Sequence, residues 1–525
     1  MLRWLFHAPC SGMRNWQFPF RRSVVTTSCV LRRNQSPPSC PRLLWSTQQQ
    51  QRAHAHTKGY QAMGSFHSES VDTLMSQPDS QYQPPSLPFS EAEFKQNQPV
   101  AISCDHESTN DFLLDRDRWT FLNHGAFGAA LRQGYERAEA WRWHLERQPL
   151  RYHDRELLPH LVFSARRLAR FCHAPRDSFT LIPNVTYGLN TILKGYAHEY
   201  KEDAHIILWD TSYGSLKKMA HEYCPQKVTG IPVSEYFDRW KTEEFRNNPL
   251  DVFACALMEA LQALDNDGRS SKNALLILDH TTSNTALNMP LKSLSKIAKD
   301  RGMLVMVDGA HGILAQELVL NETSLPCVDF YLGNGHKWLS CPRGIGFLYC
   351  PDPKLRDTIL RLPAVISHGV GQGFQSRFLW DGCRDYAAAL AVPAVLDFWE
   401  QEYDPARVRL EIQDKLSEAV ALLKEQWHGA TTEEDLGDCL LAPQNVHAPM
   451  MTLVKLPNSV QSFSSNSEDA KAVQDFLYDN FVEVPIKCVQ GTLYVRLSCH
   501  VYNELHEYQR LADTMLRFPE KGKRF

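Results

Sequence analysis

The chain runs to 525 residues, enough material for an enzyme of two or more domains. Hydrophobic residues make up 43% and charged residues 22%, a globular composition, and no apolar run nears the roughly 18 residues that a membrane span needs. A formal charge of -4 gives no basic field for nucleic acid or anionic membrane, and the 14 cysteines form neither a CxxC pair nor a Cys/His cluster. That pattern argues against a structural metal or a redox pair and points to small-molecule partners.

Residues 1–68 contain no Asp or Glu, while Arg3, Arg14, Arg21, Arg22, Arg32, Arg33, Arg42 and Arg52 punctuate them. A basic, acid-free segment responds to a negative-inside potential, so it reads as a transit peptide for mitochondrial import; a disordered extension on a cytoplasmic protein is the plainer alternative. Residues 69–114, rich in Gln, Ser and Pro, read as a linker or N-terminal arm, with ordered structure expected from near Trp119. Residues 115–395 then alternate helical periodicity (131–148, 157–171) with short apolar runs, HIILW, ALLILDH, MLVMVD and IGFLYC, which look like buried parallel strands. Such alternation predicts an α/β sheet. Residues 396–525 change character, with an amphipathic helix over 408–427, a strand-like MMTLVKL, a helix over 469–480, LYVRLS and a last helix, and read as a smaller α+β domain.

The chemistry concentrates in MLVMVDGAHG at 303–312 and VDFYLGNGHKW at 328–338. Polar residues that end apolar strands of an open α/β sheet face the ligand. Asp308 ends one strand and Lys337 follows the next. Pyridoxal 5'-phosphate (PLP) needs a carboxylate beside its ring nitrogen and an amine able to form and exchange an imine, and these two residues supply both. An Asp ending a single buried strand is ordinarily structural. Its combination with Gly-His-Lys-Trp is what gives the pattern its specificity.

At this point the chain resembles the class V aminotransferases, in the branch holding isopenicillin N epimerase, cysteine desulfhydrases and hercynylcysteine sulfoxide lyases. The resemblance runs from about Trp119 to the last helix, through FLNHGAFG, PNVTYGLN, DTSYGS, DHTTSNTA, DGAHG, NGHKW, WDGCRD and VRLSCHVYN. It implies a PLP-dependent transferase fold of type I, with a mainly parallel seven-stranded sheet between helices, and a homodimer with shared active sites.

Residue by residue, the resemblance implies that Val185 and Thr186 cradle the phosphate at a helix N-terminus, although Thr186 is also a plausible N-cap. Tyr213 falls where an aromatic ring stacks on the pyridine, against the reading of an ordinary buried tyrosine. Ser283 and His311 fall where the phenolic oxygen is bonded, and Asn334 and His336 lie within reach of the phosphate. Arg496 matches the arginine that grips a substrate α-carboxylate; a solvent-facing strand arginine is the alternative. Asn123 lines the substrate end. In WDGCRD the family has Thr where this chain has Cys383, and a thiol is the poorer donor toward the neighbouring subunit's phosphate, so the contact passes to the Gly382 backbone or is lost.

For the reaction, the leading expectation is a carbon-sulfur β-lyase acting on cysteine or an S-substituted cysteine. In that reading Lys337 takes the Cα proton, sulfur leaves, and the products are pyruvate and ammonia. Epimerisation or transamination of an amino acid or peptide is the alternative, and a non-catalytic dimer is a third reading. A desulfurase would need a nucleophilic cysteine, and Cys488, in an expected hairpin from Pro485 to Arg496, reads instead as a half-buried strand residue.

Overall fold

The computed structural model describes residues 69–90, 111–429, 439–461 and 465–519, so the expected transit segment lies outside the described residues. Its central sheet has seven strands, in the spatial order Phe179–Ile182, Gly346–Tyr349, Phe330–Asn334, Leu304–Asp308, Leu275–Asp279, Ile206–Trp209 and Val228–Ile231. All are parallel except Gly346–Tyr349, which runs antiparallel to both neighbours. Leu275–Asp279 and Ile206–Trp209 are buried at every position, which is why they read as continuous apolar runs without alternation. Helices such as Leu157–Phe171 and Val185–Tyr200 cover the sheet, and no helix among the described residues is long and apolar enough to cross a membrane.

Parallel strands end on one edge, so Trp209, Asp279, Asp308 and Asn334 finish along a single rim. Asp279 and Asp308 are partners in register, which sets two carboxylates side by side. A second, antiparallel sheet of Ile486–Val489, Thr492–Ser498 and Met451–Lys455 carries Arg496 on its middle strand. Helices Pro405–His428 and Leu505–Leu516 belong to the same C-terminal part. A short parallel pairing of Thr120–Phe121 with Val482–Glu483 ties the start of the FLNHGAFG segment to that part of the chain.

Ordered structure begins earlier than the polar composition indicates. Residues Glu69–Ser76 form a helix whose Val71 and Met75 are buried. Arg166 anchors the arm by donating to the carbonyl oxygens of Leu74 (2.7 Å) and Gln77 (2.8 Å) and to Asp79 (2.7 Å). Two well-placed apolar side chains, each contributing about 2 kcal/mol on burial, hold a segment whose average polarity hides them.

Candidate active site

A cavity of about 660 Å³ opens at the carboxyl rim of the large sheet, and the hairpin of the second sheet closes it from the other side. Among the residues singled out from the sequence, Val185, Thr186, Tyr213, Ser283, Asp308, His311, Asn334, His336, Lys337 and Arg496 all line it.

Lys337 Nζ lies 3.0 Å from His311 Nε2, and the Trp338 indole N–H donates to His311 Nδ1 at 3.3 Å. Because an indole only donates, Nδ1 must accept, and the neutral ring carries its proton on Nε2. That proton faces the lysine, which accepts it only as a free amine. The electrostatics agree: burial, reinforced by Arg496 and opposed by Asp308, brings Lys337 down to about 8. Burial and Lys337 hold His311 well below its ordinary value.

Asp308 accepts from the Ala310 amide at 3.0 Å, and burial raises its carboxyl despite that bond and the Lys337 charge. Its strand partner Asp279 is raised to about 7, by burial and then by Asp308, and accepts from Ser212 Oγ at 2.6 Å. Asp279 thereby pins the turn leading to Tyr213, whose side chain, 45% exposed, is not the buried core tyrosine of the plainer reading.

At the other end of the cavity the helix Val185–Tyr200 begins with Asn184 as its cap, accepting from Tyr187 N. One expectation needs correction here. The Val185 amide is engaged, donating to Asn334 Oδ1 at 3.0 Å, so the donors left to an anion at this helix start are Thr186, the Asn334 amide nitrogen and His336. The buried Nδ1 of His336 has no partner among the described residues.

Asn123 does not line the cavity. It stands behind it, its Oδ1 accepting from Arg496 Nη2 at 3.1 Å and its Nδ2 donating to Glu483 at 3.1 Å. Arg496, 3% exposed, also donates to the Ser283 carbonyl, yet its Nε is buried without a partner and no carboxylate among the described residues pairs with it. An unpaired buried guanidinium is costly unless an anion completes it, and burial lowers it to about 10. Gly382 and Cys383 also lie away from the cavity. Cys383 is exposed, 3.7 Å from His153 Nε2, and Gly382 O accepts from Tyr386.

Several neighbours of the cavity residues went unrecognised in the sequence. His124 accepts from Tyr502 through Nδ1 (2.9 Å) and donates through Nε2 to the Lys337 carbonyl (3.0 Å), while His500 Nε2 meets the Trp338 carbonyl at 3.1 Å. His124 and His500 stack at 4.1 Å, and burial keeps both rings neutral. Gly128 is required beneath them: at φ +69 it lies so close to His336 that a Cβ would come within 1.9 Å of that residue's carbonyl oxygen. Lys487, also on the cavity wall, was passed over. Asp279 was legible by the same strand-end rule that identifies Asp308, whereas His124, His500 and Lys487 carry no local signal.

A buried carboxylate and a guanidinium with no ion pair among the described residues, a lysine amine and a helix start with open donors around one cavity fit PLP together with an amino-acid carboxylate. Fold and site thus define a PLP-dependent enzyme of fold type I. More narrowly, residues 162–425, half of the chain, match the family model described as Aminotransferase class-V, and the chain belongs to that family. It is 26% identical to L-cysteine desulfhydrase of Arabidopsis thaliana over 75% of this chain and 86% of that one. It is 27% identical to isopenicillin N epimerase of Streptomyces clavuligerus over 79% and 98%. Among solved structures, the cystine C-S lyase C-DES matches with a TM-score of 0.57 at 20% identity, covering 76% of this chain and 98% of that one, a likeness of fold.

Proposed function

We propose that the chain is a carbon-sulfur β-lyase acting on cysteine or an S-substituted cysteine, releasing pyruvate and ammonia. The observation that carries this reading is the Lys337 amine, held 3.0 Å from His311 in the same cavity as Arg496, with which no carboxylate among the described residues pairs. Arg496 takes the substrate α-carboxylate, and Lys337 Nζ accepts the Cα proton. When bound, PLP supplies the electron sink that makes that proton acidic, and Asp308 takes the place beside its ring nitrogen. Thr186, Asn334 and His336 would hold the phosphate, Tyr213 would supply an aromatic face to the ring, and Ser283 and His311 would bond its oxygen.

Relatives named as desulfhydrases support lyase chemistry. Persulfide chemistry finds no thiol among the described residues that line this cavity: Cys488 borders the adjoining hollow, sits in a strand, donates to the Ser465 carbonyl at 3.2 Å, and is raised by burial. The epimerase-like relative supports the second reading, epimerisation or transamination of an amino acid or peptide. The test is a product assay on holo-protein with L-cysteine, S-substituted cysteines and their sulfoxides, with Lys337→Ala as control. Pyruvate that vanishes in the variant establishes the lyase. Cα deuterium exchange without pyruvate replaces it with the second reading.

A homodimer with shared sites is part of this proposal, as it gives exposed Cys383 and neighbouring Gly382 a cofactor to reach in the second copy. So is mitochondrial import of residues 1–68, resting on their basic, acid-free composition; a relative named "Probable L-cysteine desulfhydrase, chloroplastic" supports organelle targeting in this branch. A fluorescent fusion of residues 1–68 that stays cytosolic overturns import.

A further inference from the structure

Lys487 lies on the strand Ile486–Val489, opposite Tyr494 of the antiparallel strand Thr492–Ser498. Since Pro485 O accepts from Arg496 N at 3.0 Å, positions 485, 487, 494 and 496 share one face of the hairpin. Lys487 and Arg496 are therefore diagonal neighbours, about 7–8 Å apart at the backbone. Both side chains border the same cavity. Neither forms an ion pair with any described residue, and the groups beside Lys487 on the cavity wall, Gln474 and Asn284, are uncharged amides. Gln474 has its carbonyl oxygen engaged by the Ile486 amide at 3.1 Å. Burial, and then the charge of Arg496, bring Lys487 down to about 8. Two unneutralised cations on one face repel each other, and the arrangement is relieved when each meets an anion.

Under the proposed function Arg496 is satisfied by the α-carboxylate, which leaves Lys487 for something else. There is room for it. Lys487, Gln474 and Asn284 also border a second hollow of about 540 Å³, whose remaining charged lining is Lys217, Lys471 and the single carboxylate Asp210, the last already accepting from the Ser234 amide at 3.2 Å. We propose that Lys487 is a specificity-determining residue that binds a second anionic group, carried on the substrate's side chain, so that the substrate class is an amino acid with an acidic side chain. On the lyase reading, on which this rests, that is a cysteine whose S-substituent bears a carboxylate or sulfonate.

The test uses holo-protein and unreactive probes: succinate, glutarate and adipate against monocarboxylates of matching length, with affinities from calorimetry and from perturbation of the cofactor absorbance. At least one dicarboxylate is expected to bind about tenfold tighter than its monocarboxylate, a difference of about 1.4 kcal/mol. Lys487→Met brings that ratio close to one, and Lys487→Arg retains it. Monocarboxylate binding by each variant reports that the site is folded. Equal affinities in the wild-type protein, or a ratio that survives Lys487→Met, overturn the proposal, and failure of every acid to bind overturns it together with the Arg496 contact. The lyase reading is tested apart: if no cysteine derivative yields pyruvate while the dicarboxylate preference holds, the lyase falls and the second anion site stands.

Discussion

The Nε2 of His311 and the Nζ of Lys337 lie 3.0 Å apart, and the Trp338 bond on the far side of the imidazole makes the lysine the acceptor. Burial brings Lys337 down to about 8, so it loses its proton well below an ordinary lysine. The rate of PLP uptake by apo-protein, followed as absorbance near ~420 nm, should rise about tenfold per pH unit and level off at about 8. An ordinary lysine would keep climbing to about 10.4. His311→Ala removes the donor that favours the free amine and should move the plateau to higher pH. A wild-type plateau above 10 would contradict this protonation state.

Asp279 and Asp308 compete for proton-bound forms in one buried pocket. A carboxyl raised from 3.8 to about 7 keeps its proton in the folded protein over that window while the unfolded chain releases it, so stability falls as pH rises through it. Asp279→Asn removes this loss and can still accept from Ser212. The variant apo-protein should gain on the order of 1 kcal/mol or more at pH 8, with the gain fading toward pH 4. Thermal scans at the two pH values decide it.

His124 acts on Lys337 through the backbone, as a positioning residue. His124→Ala leaves the Lys337 carbonyl without its buried donor and should lower kcat by about tenfold to a hundredfold, as small misplacements near a reacting atom do. Far-UV circular dichroism should be retained, while the pH midpoint of the cofactor absorbance shifts. Tyr502→Phe, which loosens only the far nitrogen, should have a smaller effect. A change in Tm with an unmoved midpoint would show a purely structural role.

Arg496 has two donors held by Ser283 and Asn123, which fix the plane of its guanidinium. Arg496→Lys keeps the charge and loses the fork, so kcat/KM should fall about 30-fold to a hundredfold, chiefly through KM. Full activity in the lysine variant would exclude a bidentate grip on the substrate.

Cys383→Thr restores a hydroxyl donor at an exposed position. If a second copy presents its cofactor phosphate there, affinity for PLP should rise about threefold, the yield of one ordinary hydrogen bond. Gel filtration and PLP titration on the same sample check both parts. An unchanged affinity in a dimer would show that Cys383 stays clear of the neighbouring site.

Asp308, Lys337 and Thr186 were legible in the sequence because each follows from local order: an apolar run ends, and a polar residue stands at its end or at a helix start. The α/β sheet was legible for the same reason, through runs such as ALLILDH that are buried on both faces. Order starting before Trp119 was not legible because composition averages over Val71 and Met75, which are buried in a helix whose end Arg166 bonds from more than eighty residues away.

The sequence by itself therefore determined the class of fold, the cofactor and most of the residues that line the cavity, since all of these are written in short-range periodicity and in motifs whose chemistry is self-contained. Only the tertiary structure decided the rest. It set Asp279 beside Asp308, spent the Val185 amide on Asn334, placed His124 under Lys337 across 213 residues of chain, and left Arg496 and Lys487 on one face with no ion pair among the described residues. Charge state and hydrogen-bond partnership belong to what surrounds a group in space, and burial against distant segments is what shifts them.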